Sequence, residues 1–90
     1  MSGNIKDEYT SLFEAVLKLK TVEDCELFFA DLVTIKELDS MAQRIQAARL
    51  LLQGATYEQI IKATDISSAT LSRVSRCVKY GEGYKKFLTE

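Results

Sequence analysis

The stretch that most constrains the fold is residues 56–80, which read as two short helices joined by a tight turn. Thr56, followed three residues later by Gln59, is a capping-box pattern that marks a helix start. Asp65 interrupts the helical pattern, and aspartate is one of the few residues that tolerate a left-handed turn conformation. Ser67 then has the residue type of an N-cap for a second helix. This spacing predicts a helix-turn-helix, whose second helix enters the major groove of DNA.

The second predicted helix has two faces of different composition. At about 100° per residue, Leu71, Val74 and Val78 share one side, which predicts the core face. The side roughly opposite is small, polar and basic, and it comprises Ser68, Ala69, Ser72, Ser75, Arg76 and Lys79. Small residues let the backbone approach base edges, while the basic side chains reach phosphates or guanine. The face therefore predicts a DNA contact; the alternative is an ordinary solvated helix face.

Charge is distributed unevenly along the chain. Its 90 residues predict a single domain, 1–90, and the net charge of −1 is not that of a strongly basic nucleic-acid binder. Residues 1–53 carry six basic and nine acidic side chains, which gives −3, whereas residues 54–90 carry six basic and four acidic ones, which gives +2. The basic half thus contains the helix-turn-helix, and the acidic half is expected to face away from DNA.

Composition also narrows the classes of function. The chain has no histidine and only two cysteines, which are far apart in sequence. We therefore expect neither catalytic residues nor a metal site, and we expect both cysteines to be reduced thiols. It lacks a phosphate-cradling glycine loop, which makes an enzyme the weakest hypothesis. No apolar run is long enough to cross a bilayer, and the N-terminus has no signal-peptide pattern. We therefore expect a cytoplasmic protein with no membrane partner.

Three helices are predicted before the helix-turn-helix. The first covers residues 4–19, and the second begins after Thr21 as its N-cap. The third and longest, residues 35–53, begins after Thr34 and is stopped by Gly54 in the position that follows a helix end. The segment 82–89 predicts a short last helix that packs back on the body through Tyr84, Phe87 and Leu88. With no strand pattern anywhere, the fold class is all-α, with about six helices.

Residues 1–53 carry more apolar surface than their helices can hide against a single neighbour. Their apolar positions at helical spacing are Ile5, Tyr9, Leu12, Phe13, Val16 and Leu17 in the first helix, Val22, Cys25, Leu27, Phe28, Phe29 and Leu32 in the second, and Ile35, Leu38, Met41, Ala42, Ile45, Ala48 and Leu52 in the third. A compact monomer of five or six helices could bury them. A homodimer in which these helices share a core would bury them more readily in so short a chain. We favour residues 1–53 as dimerisation helices.

Three local matches identify a family resemblance. They are Gln43-Arg44-Ile45 in the long helix, the helix ending at residues 50–54, and the second helix start at residues 66–73. Together with the order of elements over residues 8–90, they resemble the tryptophan repressor family, in particular its YerC/YecD-like branch. The resemblance implies an intertwined all-helical homodimer that binds operator DNA and represses transcription.

The resemblance also implies DNA contacts at particular positions. By family position, these are a lysine of the preceding helix and the start of the recognition helix. The face composition independently selects Ser68, Ala69 and Ser72, and it adds Arg76 and Lys79. The predicted DNA-binding residues are therefore Lys62, Ser67, Ser68, Ala69, Ser72, Arg76 and Lys79. We expect the serines and the alanine over bases, and the basic residues on phosphates.

An effector pocket is implied by the same resemblance. Arg44 and Arg73 match the two arginines that hold the family's indole ligand, Thr34 matches a position that closes the pocket from the other subunit, and Cys77 matches a serine that receives the ligand's amino group. The alternative is a structural role in which the two arginines pair with nearby acidic side chains. Both interpretations stay open on the sequence.

Departures from the family pattern argue against tryptophan as the ligand. Val74 stands where the family has a glycine that leaves room for a flat ring, and Cys77 is a poorer acceptor than serine. Asp31 replaces a pocket leucine. We expect no required cofactor; the residues are compatible with an amino-acid-like corepressor.

A different class of function, a small helical protein-interaction module without sequence-specific DNA binding, is supported by the overall negative charge.

Overall fold

A computed structural model describes residues 6–89, and in that range the chain forms helices and no strand. The six helices are α1 (Asp7–Val16), α2 (Val22–Leu32), α3 (Ile35–Leu52), α4 (Tyr57–Thr64), α5 (Ser68–Tyr80) and α6 (Gly83–Leu88). The all-α, six-helix prediction is confirmed. The predicted first residue of α1, Asn4, and the apolar Ile5 lie outside the described residues.

The first helix ends earlier than predicted. Its last residue is Val16, and the chain then tightens into a turn in which Lys18 N–H donates to Ala15 O at 3.1 Å and Leu19 N–H donates to Val16 O at 3.0 Å. Hydrogen bonds between residues three apart, as in a 3₁₀ turn, end an α-helix by satisfying its last carbonyl groups. The apolar periodicity continues to Leu19 and conceals this ending.

The start of α2 agrees with the prediction. The Thr21 hydroxyl accepts from Asp24 N–H at 3.0 Å. In return, the Asp24 carboxylate accepts from Lys20 N–H at 3.0 Å. Two backbone donors are thereby satisfied within five residues, and the acidic side chain sits at the positive end of the helix dipole.

The chain forms two units that divide between Thr34 and Ile35, and each is described by itself. The N-terminal unit contains α1 and α2, none of whose residues is buried. Its exposed large apolar side chains are Tyr9, Leu12, Phe13, Leu17, Val22, Leu27 and Leu32. The predicted surplus of apolar surface on these two helices is therefore present on the surface.

The C-terminal unit contains the core. Its buried residues come from α3, α4, the turn and α5, and they are Ala47, Ala48, Ile60, Ile66, Leu71 and Val74. The two alanines have no exposed surface, and such small side chains let neighbouring helices approach closely. The C-terminal half of α3 thus shares a core with the helix-turn-helix, although the sequence partition grouped α3 with the first two helices.

Two predicted apolar faces differ in how far they join the core, and only the one on α6 needs correction. On α3, Ile35, Leu38 and Ile45 are exposed, so the apolar stripe joins the core of the described chain only near its C-terminal end. On α6, Tyr84 and Leu88 pack against the core as predicted. Phe87 does not: it is 76% exposed, because α6 is short and turns its third apolar side chain outward.

The end of α3 agrees with the predicted role of Gly54. This residue has a φ of 89°, in the left-handed region that glycine adopts without a steric penalty. Its N–H donates to Leu51 O, and Ala55 N–H donates to Leu50 O, both at 3.0 Å. These bonds end the helix and turn the chain toward α4. Among the described residues, no helix is both long and apolar enough to span a membrane.

Candidate nucleic-acid interface

The first helix of the helix-turn-helix begins with a complete capping box. Thr56 Oγ1 accepts from Gln59 N–H at 3.2 Å, and Gln59 Oε1 accepts from Thr56 N–H at 2.9 Å. The predicted reciprocal pair is confirmed. It defines the start of α4 at a single residue, which in turn places the exposed Lys62 in the last turn of that helix.

The turn between the helices is made by Asp65, whose φ of 63° is the left-handed conformation predicted for it. Asp65 N–H donates to Ile61 O at 2.9 Å, which closes α4. The next side chain, Ile66, is 2% exposed and belongs to the core cluster. Because the Ile66 side chain is buried directly after the turn, it fixes the direction in which α5 leaves the turn.

A glutamine of α3 holds this turn in place. Gln43 Nε2 donates to Thr64 O at 2.8 Å. The Thr64 hydroxyl donates to Ile60 O at 2.7 Å and accepts from Ile66 N–H at 3.2 Å. The sequence interpretation used Gln43 only as part of a family match and missed this role, because the bond joins residues 21 positions apart.

Ser67 begins the recognition helix. Its Oγ accepts from Thr70 N–H at 3.1 Å, as predicted for an N-cap, and its hydroxyl donates to Thr70 Oγ1 at 2.9 Å. Ser67 therefore positions the start of α5 through two hydrogen bonds to Thr70.

The structure leaves every predicted DNA-binding residue exposed: Lys62, Ser67, Ser68, Ala69, Ser72, Arg76 and Lys79. Five of them lie on α5, where their spacing places them on one side of the helix. We call these five residues (Ser68, Ala69, Ser72, Arg76 and Lys79) the α5 surface. No acidic residue occurs in the sequence between Ile66 and Gly81, so nothing on this helix opposes the attraction of a phosphate.

Ser75 does not belong to the α5 surface. The prediction that it lies on the exposed face is wrong, since only 5% of the residue is exposed. It follows Leu71 by one helical turn and adjoins Val74, both of which are buried in the core. Its small side chain fits at the margin of the core, where a larger residue would meet α5's neighbours.

An open cavity of about 400 Å³ includes two of the residues predicted for an effector pocket. Its lining residues are Arg73, Arg76, Cys77, Tyr80 and Gly81. Two predicted pocket residues, Arg73 and Cys77, are thus brought together. The exposed Arg44 is not among the lining residues, and Thr34 belongs to the N-terminal unit.

Tyr80 is a cavity residue that the sequence interpretation missed. A signal for it was available, because residues 73, 76, 77 and 80 follow the helical spacing i, i+3, i+4 and i+7 and so share a stripe. Val74, which was expected to crowd the ligand ring, instead belongs to the core cluster. Two guanidinium groups and a phenol make this cavity suited to an anionic group.

A second, mainly apolar groove of about 490 Å³ lies beside the first cavity. Its lining residues come from α3, α5, α6 and the intervening glycines, and they are Ile45, Cys77, Gly81, Gly83, Tyr84, Phe87 and Leu88. Cys77 and Gly81 are common to both cavities, so the two adjoin at the end of α5.

Six helices with a capped helix-turn-helix near the C-terminal end define the class as an all-helical helix-turn-helix protein. A family model described as Trp repressor protein matches residues 7–90, and the chain therefore belongs to the Trp repressor family. This is a family of regulators and not of enzymes. The resemblance inferred from the three local motifs is confirmed.

Individual relatives agree with this assignment. The chain is 50% identical over 74 residues to the uncharacterized protein YerC of Bacillus subtilis (strain 168). The matched residues are 82% of this chain and 71% of that protein. A candidate Trp repressor from Staphylococcus aureus superposes with a TM-score of 0.89 at 39% identity, over 93% of this chain and 85% of that one. A TrpR-like protein from Eubacterium eligens ATCC 27750 gives 0.86 at 39% identity, over 90% and 84%.

Proposed function

We propose that the protein is a cytoplasmic transcriptional regulator that binds a palindromic operator as a homodimer and represses the genes behind it. The observation that carries the proposal is the α5 surface. Small residues occupy the N-terminal part of an exposed recognition helix and basic residues occupy its C-terminal part. Membership of the Trp repressor family supports the same function.

The α5 surface supports a division of labour along the helix. Ser68, Ala69 and Ser72 bring little steric bulk to base edges, so contacts there are short or bridged by water. Arg76 and Lys79, with Lys62 of α4, bind the phosphate backbone and fix the register. Most of the affinity then comes from phosphates, and most of the sequence preference comes from the small residues.

A homodimer is supported by the exposed apolar side chains of α1 and α2 and by the apolar groove beside α6. Burial of these side chains against a second copy would remove apolar surface from water. Pairing by a two-fold axis would present two copies of α5 about 34–36 Å apart, one turn of DNA. A palindrome with half-sites at that spacing is the matching operator.

The cavity at Arg73 and Arg76 supports control by a small anionic effector such as an amino-acid-like corepressor. Its volume of about 400 Å³ is within the range of ligand sites. Because Arg76 belongs both to the cavity and to the α5 surface, a ligand held there would alter the DNA contact directly. With Val74 in the core, the case against tryptophan depends on Cys77, a poor acceptor for an ammonium group, and on Asp31 in place of a pocket leucine.

Selection of bound duplexes from a random DNA pool tests the proposal, with and without a panel of amino acids. We expect a palindromic motif to be enriched. A pool that stays random would contradict DNA reading and favour the alternative, a protein-interaction module. An amino acid that changes the enriched fraction identifies the effector class, and enhancement by tryptophan would show that the argument from Cys77 is wrong.

A further inference from the structure

We infer that the end of α5 and the first turn of α6 form a second phosphate-binding surface, which holds the DNA backbone outside the base pairs that α5 reads. We call Lys79, Lys85 and Lys86 the flanking cluster. The inference rests on the proposed function, because it assigns additional DNA contacts to a protein that binds operator DNA. It gives α6 a role beyond packing, because its lysines would determine how far the contacted DNA extends beyond the half-sites.

Charge is concentrated at this end of the chain. Residues 73–86 contain five basic side chains and one acidic side chain, Glu82, which gives a net charge of +4. All three lysines of the flanking cluster are exposed. A positive surface of this density on a chain whose net charge is −1 is the local signature of an anionic polymer as partner.

The first turn of α6 is tied to the end of α5 by short contacts. Lys85 Nζ donates to Lys79 O at 3.0 Å, which also places its charge at the negative end of the α5 dipole. Gly81 N–H donates to Cys77 O at 2.8 Å, and Lys86 N–H donates to Glu82 O at 2.9 Å. The α6 lysines therefore accompany the recognition helix when it docks.

The length of α5 places this cluster at the wall of the groove. From Ser68 to Lys79 the helix rises about 16 Å at 1.5 Å per residue, whereas the major groove is about 12 Å wide. With the first turn of α5 over the bases, its last turn reaches the groove edge, where the phosphates lie. Lys85 and Lys86 follow beyond that edge and face the backbone of flanking base pairs.

Lys86 is the most informative residue of the cluster. Its ammonium lies 5.5 Å from the centroid of the Phe87 ring, which orients the side chain without neutralising its charge. Unlike that of Lys85, its ammonium is not used to cap α5. Replacing Lys86 therefore removes a positive charge while leaving the junction of α5 and α6 intact.

The experiment measures DNA affinity against salt for wild type and Lys86→Gln on two duplexes carrying the selected operator. One duplex extends about six base pairs beyond each half-site, and the other ends at the half-sites. On the long duplex, we expect the slope of log K against log salt to fall by about 0.9 for each subunit in the variant. On the short duplex, wild type and variant should have equal slopes, and Lys86→Arg should behave as wild type on both.

Lys36→Gln is the matched control, since Lys36 is an exposed lysine of α3 in the same unit and its loss changes the net charge equally. Its slopes should equal those of wild type. Equal slopes for wild type and Lys86→Gln on the long duplex would overturn the inference, and so would the same reduction on both duplexes. If wild type selects no DNA sequence at all, the proposed function fails first and the flanking cluster fails with it.

Discussion

Ser72 and Lys79 lie two turns apart on the same exposed side of α5, yet their chemistry predicts different effects on the proposed binding of DNA. The Ser72 hydroxyl can donate to or accept from a base edge, while the Lys79 ammonium is a point charge that every phosphate attracts alike. At the scale of single residues, sequence preference and affinity are therefore separable.

For Ser72→Ala, we expect the motif selected from random DNA to change at one position in each half-site, with about 1–3 kcal/mol of discrimination lost there. The salt slope should not change. Lys79→Ala should do the opposite, weakening all sequences alike and flattening the slope by about one unit for each subunit. A Ser72 variant with a changed slope and an unchanged motif would contradict this assignment.

A prediction for stability concerns Gln43, whose amide bonds to the carbonyl of Thr64. Gln43→Met keeps the length and helix preference of the side chain but leaves that partly buried carbonyl without its donor. We expect the free energy of unfolding in urea to fall by about 1–2 kcal/mol.

Gln46→Met is the matched control for Gln43→Met, since Gln46 is exposed on the same helix. Its unfolding free energy should stay within about 0.5 kcal/mol of wild type. Equal losses in the two variants would show that the bond to Thr64 does not stabilise the turn.

At the scale of helices, the ends that carry a capping residue were predictable because capping acts within a few residues, whereas the end of α1, which has no such residue, was placed too late. The N-caps at Thr21, Thr56 and Ser67 and the left-handed residues Gly54 and Asp65 depend on local chemistry, and all were predicted correctly. What the sequence could not supply depends on how helices cross. The burial of a serine at the core margin and the bond across 21 residues are set by the packing of α3 against α5.

The two glycines around α6 provide a prediction at the same scale. A Cβ at Gly81 would lie 2.7 Å from the carbonyl oxygen of Cys77, which is backbone and cannot rotate away, whereas a Cβ at Gly83 would meet nothing within 4 Å. We expect Gly81→Ala to lower the unfolding free energy by about 1–3 kcal/mol, because the end of α5 must shift.

Gly83→Ala, at the first position of α6, should be neutral or slightly stabilising. Thermal unfolding of both variants distinguishes a specific clash from a general preference for glycine. Equal effects of the two substitutions would contradict the close approach at Gly81.

At the scale of the whole molecule, α1 and α2 expose apolar side chains while the C-terminal unit has a core of its own. The sequence indicated the surplus of apolar residues correctly, but it grouped α3 with the first two helices, whereas α3 belongs to the C-terminal unit. Apolar periodicity shows that a face is covered and does not show by what. A second copy of the chain is the occupant that we propose.

The substitution Phe13→Glu tests whether a second copy of the chain covers the apolar face of α1. Phe13 is 52% exposed, and placing a charge there should weaken a dimer by about 1.5–3 kcal/mol at each of two equivalent sites. Sedimentation equilibrium should then show a dissociation constant raised by about 100-fold or more. Ser11→Glu, an exposed position on the other side of α1, is the control and should leave the mass unchanged. A monomeric wild type would contradict the dimer.

The many roles assigned to residues of α5 limit how the sequence of this helix can diverge. Of its thirteen residues, three are buried, Val78 packs on the core, and Thr70 bonds to the N-cap. Three more line the cavity, and the α5 surface accounts for the remaining five. If α5 binds DNA as we propose, every position on this helix has a role in packing, in the cavity or in the DNA contact. A lineage that acquires a new operator would then do so through the few small residues of the α5 surface, and each such change would be exposed to selection.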